Sequence, residues 1–169
     1  MDLIREKAGK IKLVLTDSDG VLTDNGVYYS ANGEEMKRFS IRDGMGVERL
    51  RNHRIETGIV TGETSPSVAK RAEKLRITEL HLGVKDKATK LQEIMLRKHL
   101  RAEEIAFIGD DTNDLEALQR VGLSACPADA TIFAKQICDY ICATNGGHGC
   151  FRELAELIIA SKQTVNDKL

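Results

Sequence analysis

A succession of short apolar runs, most of them followed by a polar or glycine-bearing turn and then by helical periodicity, constrains this chain more than any other feature. Residues 11–16 (IKLVLT), 55–61, 79–82, 105–108 (IAFI) and 123–125 read as buried strands. Helices are expected at 43–53, at 85–99, at 114–121, at 149–161, and from Thr64-Ser65-Pro66 onward, where a capping hydroxyl precedes proline in the first turn. In that last helix Val68, Ala72 and Leu75 share a face, as do Leu91, Ile94 and Met95 in the helix at 85–99. Repeated strand-then-helix units give a Rossmann-like α/β fold: a parallel sheet covered on both faces, with functional loops at the carboxyl ends of its strands. Residues 27–29 and 35–39 read as a small β-hairpin about Asn32-Gly33. The first ten or so and the last eight or so residues are expected to be loose tails. A length of 169 residues fits one domain over 1–169.

Composition narrows the function classes. With 25 basic against 26 acidic residues there is no cationic surplus to neutralise nucleic-acid phosphates, and 4% aromatic content without Trp argues against base stacking. No apolar run approaches the roughly 20 residues of a membrane span. The opening MDLIREKAGK lacks the apolar stretch of a signal peptide, so a cytoplasmic location is expected, with no nucleic-acid or membrane partner. Cys126, Cys138, Cys142 and Cys150 are then free core thiols. A zinc site from Cys138, Cys142, His148 and Cys150 would lack the paired CxxC spacing.

Chemistry concentrates at the strand ends. Asp17-Ser18-Asp19-Gly20 follows the first strand, and carboxylates two residues apart point the same way on extended backbone. Crowded like charges call for a cation, a shared proton, or both. The bland alternative is a turn or a calcium loop, but the sequence after Gly20 does not continue the calcium-loop ligand series. Gly109-Asp110-Asp111-Thr112-Asn113-Asp114 follows another buried strand. Alone it could be an acid-rich helix start; with the first cluster it makes a hard oxygen site suited to Mg²⁺, and hence to phosphate. Thr61-Gly62 at a strand end and Lys87 at a helix start could hold phosphoryl oxygens, although each taken singly is more often a turn or a solvated charge.

The order DxDGxxT, Thr-Gly, Lys, GDDxxD resembles the haloacid dehalogenase superfamily of aspartyl-phosphate phosphotransferases, from about residue 11 to about residue 160. The hairpin, Pro127-Ala128-Asp129-Ala130 and Gly146-Gly147-His148-Gly149 are similar to its capless branch, which contains 3-deoxy-D-manno-octulosonate 8-phosphate phosphatase and nonulosonate 9-phosphate phosphatases of the sialic-acid type. The resemblance implies a single Mg²⁺-dependent phosphatase domain without a large cap. Asp17 would be the nucleophile and Asp19 the acid and base. Thr61 and Lys87 would hold the phosphoryl group. Asp17, Asp110 and the backbone carbonyl of Asp19 would be metal ligands, with Asp111 and Asp114 orienting the metal's waters.

The same resemblance bears on substrate and assembly. Glu63 stands where octulosonate enzymes usually carry Arg, and with residues 71–75 (RAEKL) it is closer to the nonulosonate type. Gly62, Glu63, Lys74 and Arg152 are the implied substrate-side residues of a sugar-acid phosphate site. Gly-Gly-His-Gly replaces the family's Gly-Gly-Arg-Gly, which removes that arginine's contact. In capless relatives the hairpin joins a homotetramer, for which Val27, Tyr28, Met36 and Phe39 are the apolar candidates; the alternative is that they pack on their own sheet. Competing classes are a noncatalytic phosphatase-like oligomerisation module of sialate metabolism and a phosphoacceptor receiver. The intact Asp17, Asp19, Lys87 and Asp110 oppose the first, and the order of the acidic motifs opposes the second.

Overall fold

Alternation along the first strand, β1 (Leu13–Thr16), decides the layering: Val14 enters one apolar cluster, while Leu13 and Leu15 enter another on the opposite face. The computed structural model describes residues 2–166. Its elements run α1 (Asp2–Lys10), β1, β2 (Thr23–Ser30), β3 (Gly33–Phe39), α2 (Ile41–Asn52), β4 (Glu56–Val60), α3 (Pro66–Leu75), β5 (Glu79–His81) and α4 (Lys87–Lys98). They continue with β6 (Ile105–Ile108), α5 (Leu115–Leu118), β7 (Leu123–Cys126), α6 (Ile132–Ile137), β8 (Tyr140–Ile141) and α7 (Cys150–Asn166). The main sheet has six parallel strands in the order β5-β4-β1-β6-β7-β8, and β2 and β3 form a separate antiparallel hairpin.

One face of the sheet packs Val14, Ile59, Ala106 and Ile108 against Leu50 of α2, Val68 of α3 and Phe151, Leu154 and Ile158 of α7. The other packs Leu13, Leu15, Phe107 and Ile105 against Leu91 and Ile94 of α4 and Leu118 of α5. This is the three-layer α/β architecture that the strand–helix alternation implies. Starting at β1, the chain winds outward through β4 and β5, then returns to place β6 on the other side of β1. The carboxyl ends of β4, β1 and β6 are therefore neighbours, at the switch point where such sheets bind ligands.

Several elements differ from expectation. Residues 2–10 form α1 rather than a loose tail, because Ile4 and Ala8, one turn apart, pack against the α7 side of the core and Lys7 pairs with Asp139 at 2.5 Å. Helix α7 runs past residue 161 to Asn166, so the expected loose end is helical as far as 166; residues 167–169 lie outside the described residues. Residues 114–121 yield only a single 3₁₀ turn at Thr112–Asp114 followed by the short α5. Neither α6 nor β8 is among the elements expected from the sequence.

The hairpin is longer than 27–39, pairing Tyr28 with Met36 and turning at Ser30 and Gly33. Phe39 tucks against the protein's own core, whereas Val27, Tyr28, Tyr29 and Met36 remain 44–70% exposed. All four cysteines are free; Cys126, Cys142 and Cys150 are buried and Cys138 is half-buried. No helix among the described residues is long and apolar enough to cross a membrane.

Candidate active site

The loop after β1 is tightly constrained. The Ser18 carbonyl accepts from the backbone N–H groups of Val21, Leu22 and Thr23, curling the chain back beneath Asp17 and Asp19. Gly20 has φ +79°, and a Cβ there would lie 2.0 Å from Asp110 Oδ2, so a side chain is excluded by backbone and by space. The 145–149 loop presses on it from the other side: a Cβ on Gly146 would meet the Gly20 carbonyl oxygen at 1.9 Å, and the Gly147 N–H donates to the Val21 carbonyl at 2.8 Å.

Within this frame the acidic groups meet. Asp17, Asp110 and Asp114, all buried, each offer a carboxylate oxygen, and these oxygens lie within 4.8 Å of one another. Lys87, the first residue of α4 and itself 2% exposed, reaches between them, with Nζ 2.8 Å from Asp17 Oδ2 and 2.5 Å from Asp114 Oδ1. Asp86 caps that helix by accepting from the Thr89 N–H, which fixes where Lys87 starts. Burial works against the Lys87 ammonium, but Asp17 and Asp114 outweigh it and hold the group above its ordinary range. Lys87 is thus a permanent cation of the site.

Three carboxylates against one ammonium leave two formal negative charges in a buried cluster. Burial, with Asp114 adding repulsion, pushes Asp17 up to about 6 despite Lys87. Burial also lifts Asp110 to about 7; Asn25 opposes the rise, and Asp17, Asp114 and Asp111 add to it. Such a hard oxygen set fits a divalent cation, which would replace the protons these groups otherwise favour. Asp17 and Asp110 are the carboxylates that line the open side and could hold it, although Asp17 also meets Lys87 through Oδ2 and the Ser18 N–H through Oδ1. Asp114 is occupied on both oxygens, by Lys87 on one and by the N–H groups of Asp110 and Asp111 on the other at 3.0 and 3.3 Å, which suits the supporting role expected of it. Asp111 is exposed at the rim, and its side chain accepts from the Thr112 N–H.

A cavity of about 190 Å³ opens over these groups, lined by Asp17, Asp19, Thr61, Gly62, Glu63 and Asp110, together with Asn25, Asp111 and Asn113. Thr61 and Gly62 follow β4, and the Thr61 carbonyl accepts from Val84 at 2.9 Å, clipping this loop to the one that leads into α4. Ser65 caps α3 just beyond, accepting from the Val68 N–H. A second hollow of about 240 Å³ shares Asp19, Asn25 and Glu63 as walls and extends along the hairpin past Val27, Tyr29, Glu34 and Lys37.

Asp17, Asp19, Thr61, Gly62, Glu63, Lys87, Asp110, Asp111 and Asp114 therefore gather at one sheet edge. Lys74 and Arg152 do not line either cavity. Lys74 is exposed in the last turn of α3; the Arg152 guanidinium pairs with Glu156 on its own helix, and the Arg152 backbone N–H donates to buried Asp43. Asn25 and Lys37 are additional site residues. Asn25, at φ +62°, donates from Nδ2 to Asp110 Oδ2 at 3.2 Å. Lys37 Nζ lies 2.6 Å from Asp19 Oδ2, and its ammonium is held above the ordinary range: burial opposes the charge, and the bond to Asp19 with the fields of Glu34 and Glu63 outweighs it. The signal for Lys37 is the two-residue strand period, which puts it on the same side of β3 as core-packed Phe39.

The haloacid dehalogenase-like hydrolase family matches residues 72–154. A 3-deoxy-D-manno-octulosonate 8-phosphate phosphatase from Haemophilus influenzae is 39% identical over 159 residues, 94% of this chain and 88% of the relative. The cobalt-bound structure of the deoxy-D-mannose-octulosonate 8-phosphate phosphatase from Haemophilus influenzae superposes with a TM-score of 0.90, covering 93% of this chain and 92% of that one at 39% identity. The Moraxella catarrhalis 3-deoxy-D-manno-octulosonate 8-phosphate phosphatase, solved with a magnesium ion, a phosphate ion and a KDO molecule, gives 0.94 at 33% identity over 99% of this chain and 97% of that one.

Proposed function

The chain belongs to the haloacid dehalogenase-like hydrolases and is a phosphoric monoester hydrolase, and from that premise we propose that it removes the terminal phosphate of a sugar acid through an aspartyl-phosphate intermediate. The observation that carries the reading is the buried Asp17–Lys87–Asp114 cluster beside Asp110, beneath a polar cavity that Asp19 and Thr61 also line. Asp17 attacks phosphorus. As the phosphorus–oxygen bond to the sugar breaks, Asp19 gives its proton to the departing oxygen. Asp19, now a carboxylate, takes a proton from water as that water attacks the aspartyl phosphate, releasing phosphate and restoring Asp17. Thr61 and the Lys87 ammonium bind phosphoryl oxygens, and Lys87 holds Asp17 in place between turnovers. Asp17, Asp110 and the Asp19 carbonyl would hold Mg²⁺, which when bound supplies charge neutralisation for the phosphoryl oxygens.

Gly62 and Glu63 face the sugar end. The octulosonate 8-phosphate named for the relatives is one candidate substrate; Glu63, a wall of both cavities, favours a nonulosonate 9-phosphate such as those of KDN or N-acetylneuraminate as a second. Exposed Lys74 and half-buried Arg152 would reach only a substrate extending beyond the cavity walls. The exposed apolar hairpin face of Val27, Tyr28 and Met36 supports assembly into a homotetramer that covers an otherwise open site. The deciding experiment is kcat/KM for the three sugar-acid phosphates with and without Mg²⁺. A preference for one of them that requires the metal supports the reading, and equally low values for all three overturn the substrate class.

A further inference from the structure

Lys37 is an anomaly on its hairpin. Its neighbours Met36 and Arg38 are exposed, yet its side chain is only 4% exposed and its ammonium sits beside Asp19. The two oxygens of Asp19 are held from different directions: Oδ2 by Lys37 Nζ at 2.6 Å, and Oδ1 by the Thr23 hydroxyl, which donates at 3.1 Å. Thr23, the first residue of β2, lies only four residues after Asp19, but Lys37 arrives from a strand eighteen residues later in the chain. Lys37 is in turn anchored by Glu34, 3.6 Å away, and Glu34 accepts from the hydroxyl of Ser65, the cap of α3. A relay of Ser65, Glu34, Lys37 and Asp19 therefore ties the hairpin to the α3 start and ends on one carboxylate of the cavity.

We infer that Lys37 is a positioning residue for Asp19, orienting its carboxyl group toward the oxygen of the departing group. The inference rests on the proposed role of Asp19. A buried ammonium is costly to hold away from water, and its fixed contacts here are Asp19 and Glu34 rather than the phosphoryl-side groups Asp17 and Asp110. Misplacing a catalytic group by about 1 Å can lower a rate by about a hundredfold. That loss falls on proton delivery, so it depends on the leaving group: a sugar alkoxide needs the proton, and p-nitrophenolate departs without it.

The test compares Lys37→Met, which keeps the aliphatic stem, with the unaltered enzyme on 3-deoxy-D-manno-octulosonate 8-phosphate and on p-nitrophenyl phosphate. The parameter kcat/KM covers the steps through departure of the leaving group and omits hydrolysis of the aspartyl phosphate. The expected result is that kcat/KM falls at least about tenfold further on the sugar phosphate than on the aryl phosphate, within the range for a misplaced group. In an Asp19→Asn background the same change should add little, because the group it positions is gone. Equal losses on both substrates, or full additivity with Asp19→Asn, would overturn the inference and leave Lys37 as a brace for the hairpin. Turnover of the two substrates by the unaltered enzyme tests the functional reading separately, and residual aryl activity of the variant reports that it has folded.

Discussion

The metal-free protein should lose stability as pH rises from 5 to 8, opposite to the usual behaviour of paired carboxylates. Asp17 rises from 3.8 to about 6 and Asp110 from 3.8 to about 7 on folding, so the folded chain holds protons that the unfolded chain has released. For an acid whose folded pKa is raised, the stabilising contribution is complete below the unfolded value and is lost as pH climbs through the folded one. Between pH 5 and 8, Asp17 traverses roughly one unit of that window and Asp110 roughly two. The expected losses are about 1 and about 3 kcal/mol, about 4 kcal/mol together. Urea unfolding in a chelator at successive pH values measures this, and Asp110→Asn should remove the larger part of the slope while leaving other titrating groups in place. Added Mg²⁺ should stabilise the protein more at pH 8 than at pH 5, because the cation competes with the protons. A stability that is flat or rising over this range, or an unchanged slope in Asp110→Asn, would refute the electrostatic reasoning.

Two further outcomes follow from the same frame. Lys87→Met strands Asp17 and Asp114 as buried charges and should cost about 3–5 kcal/mol in urea unfolding near neutral pH, with part of the loss recovered on acidification as the carboxylates take protons. Gly146→Ala pushes a methyl group into the Gly20 carbonyl and should cost about 3 kcal/mol in the same assay, along with activity, because the Asp17 loop must shift to make room.

The strands and their acidic turns were legible in the sequence because parallel-sheet strands are buried on both faces and read as continuous apolar runs, while catalytic loops must interrupt them with charge. Asp17, Asp19, Thr61 and Asp110 stand at the ends of such runs and Lys87 at the start of the helix after another, and the order of these motifs along the chain, rather than any one alone, singled them out. Helix α1 was not legible: Ile4 and Ala8 form its stripe, and only the α7 surface makes that stripe worth burying. The short α6 and β8 are likewise fixed by their surroundings, with Cys142 donating to the Cys126 carbonyl and Asp139 bonding Ser124 and Lys7. Lys37 and Asn25 escaped for a different reason. A lysine on a hairpin and an asparagine in a turn have ordinary local explanations, and only the folding of the hairpin back over the sheet edge brings them to Asp19 and Asp110. Lys74 and Arg152 show the reverse case, since neighbourhood in sequence to a motif did not place them on the cavity wall.

The central claim is that Asp17 carries the phosphoryl group. Mass analysis of peptides from the Asp19→Asn variant, quenched in acid during exposure to p-nitrophenyl phosphate and Mg²⁺, tests it most directly, because p-nitrophenolate departs without a proton from residue 19, while the variant retains the nucleophile and lacks the base that clears the intermediate. One phosphoryl group on the peptide containing Asp17, absent when Asp17 is also changed to Asn, is the expected result. Steady release of phosphate with no phosphoryl group on that peptide, or turnover that persists in Asp17→Asn, would contradict it.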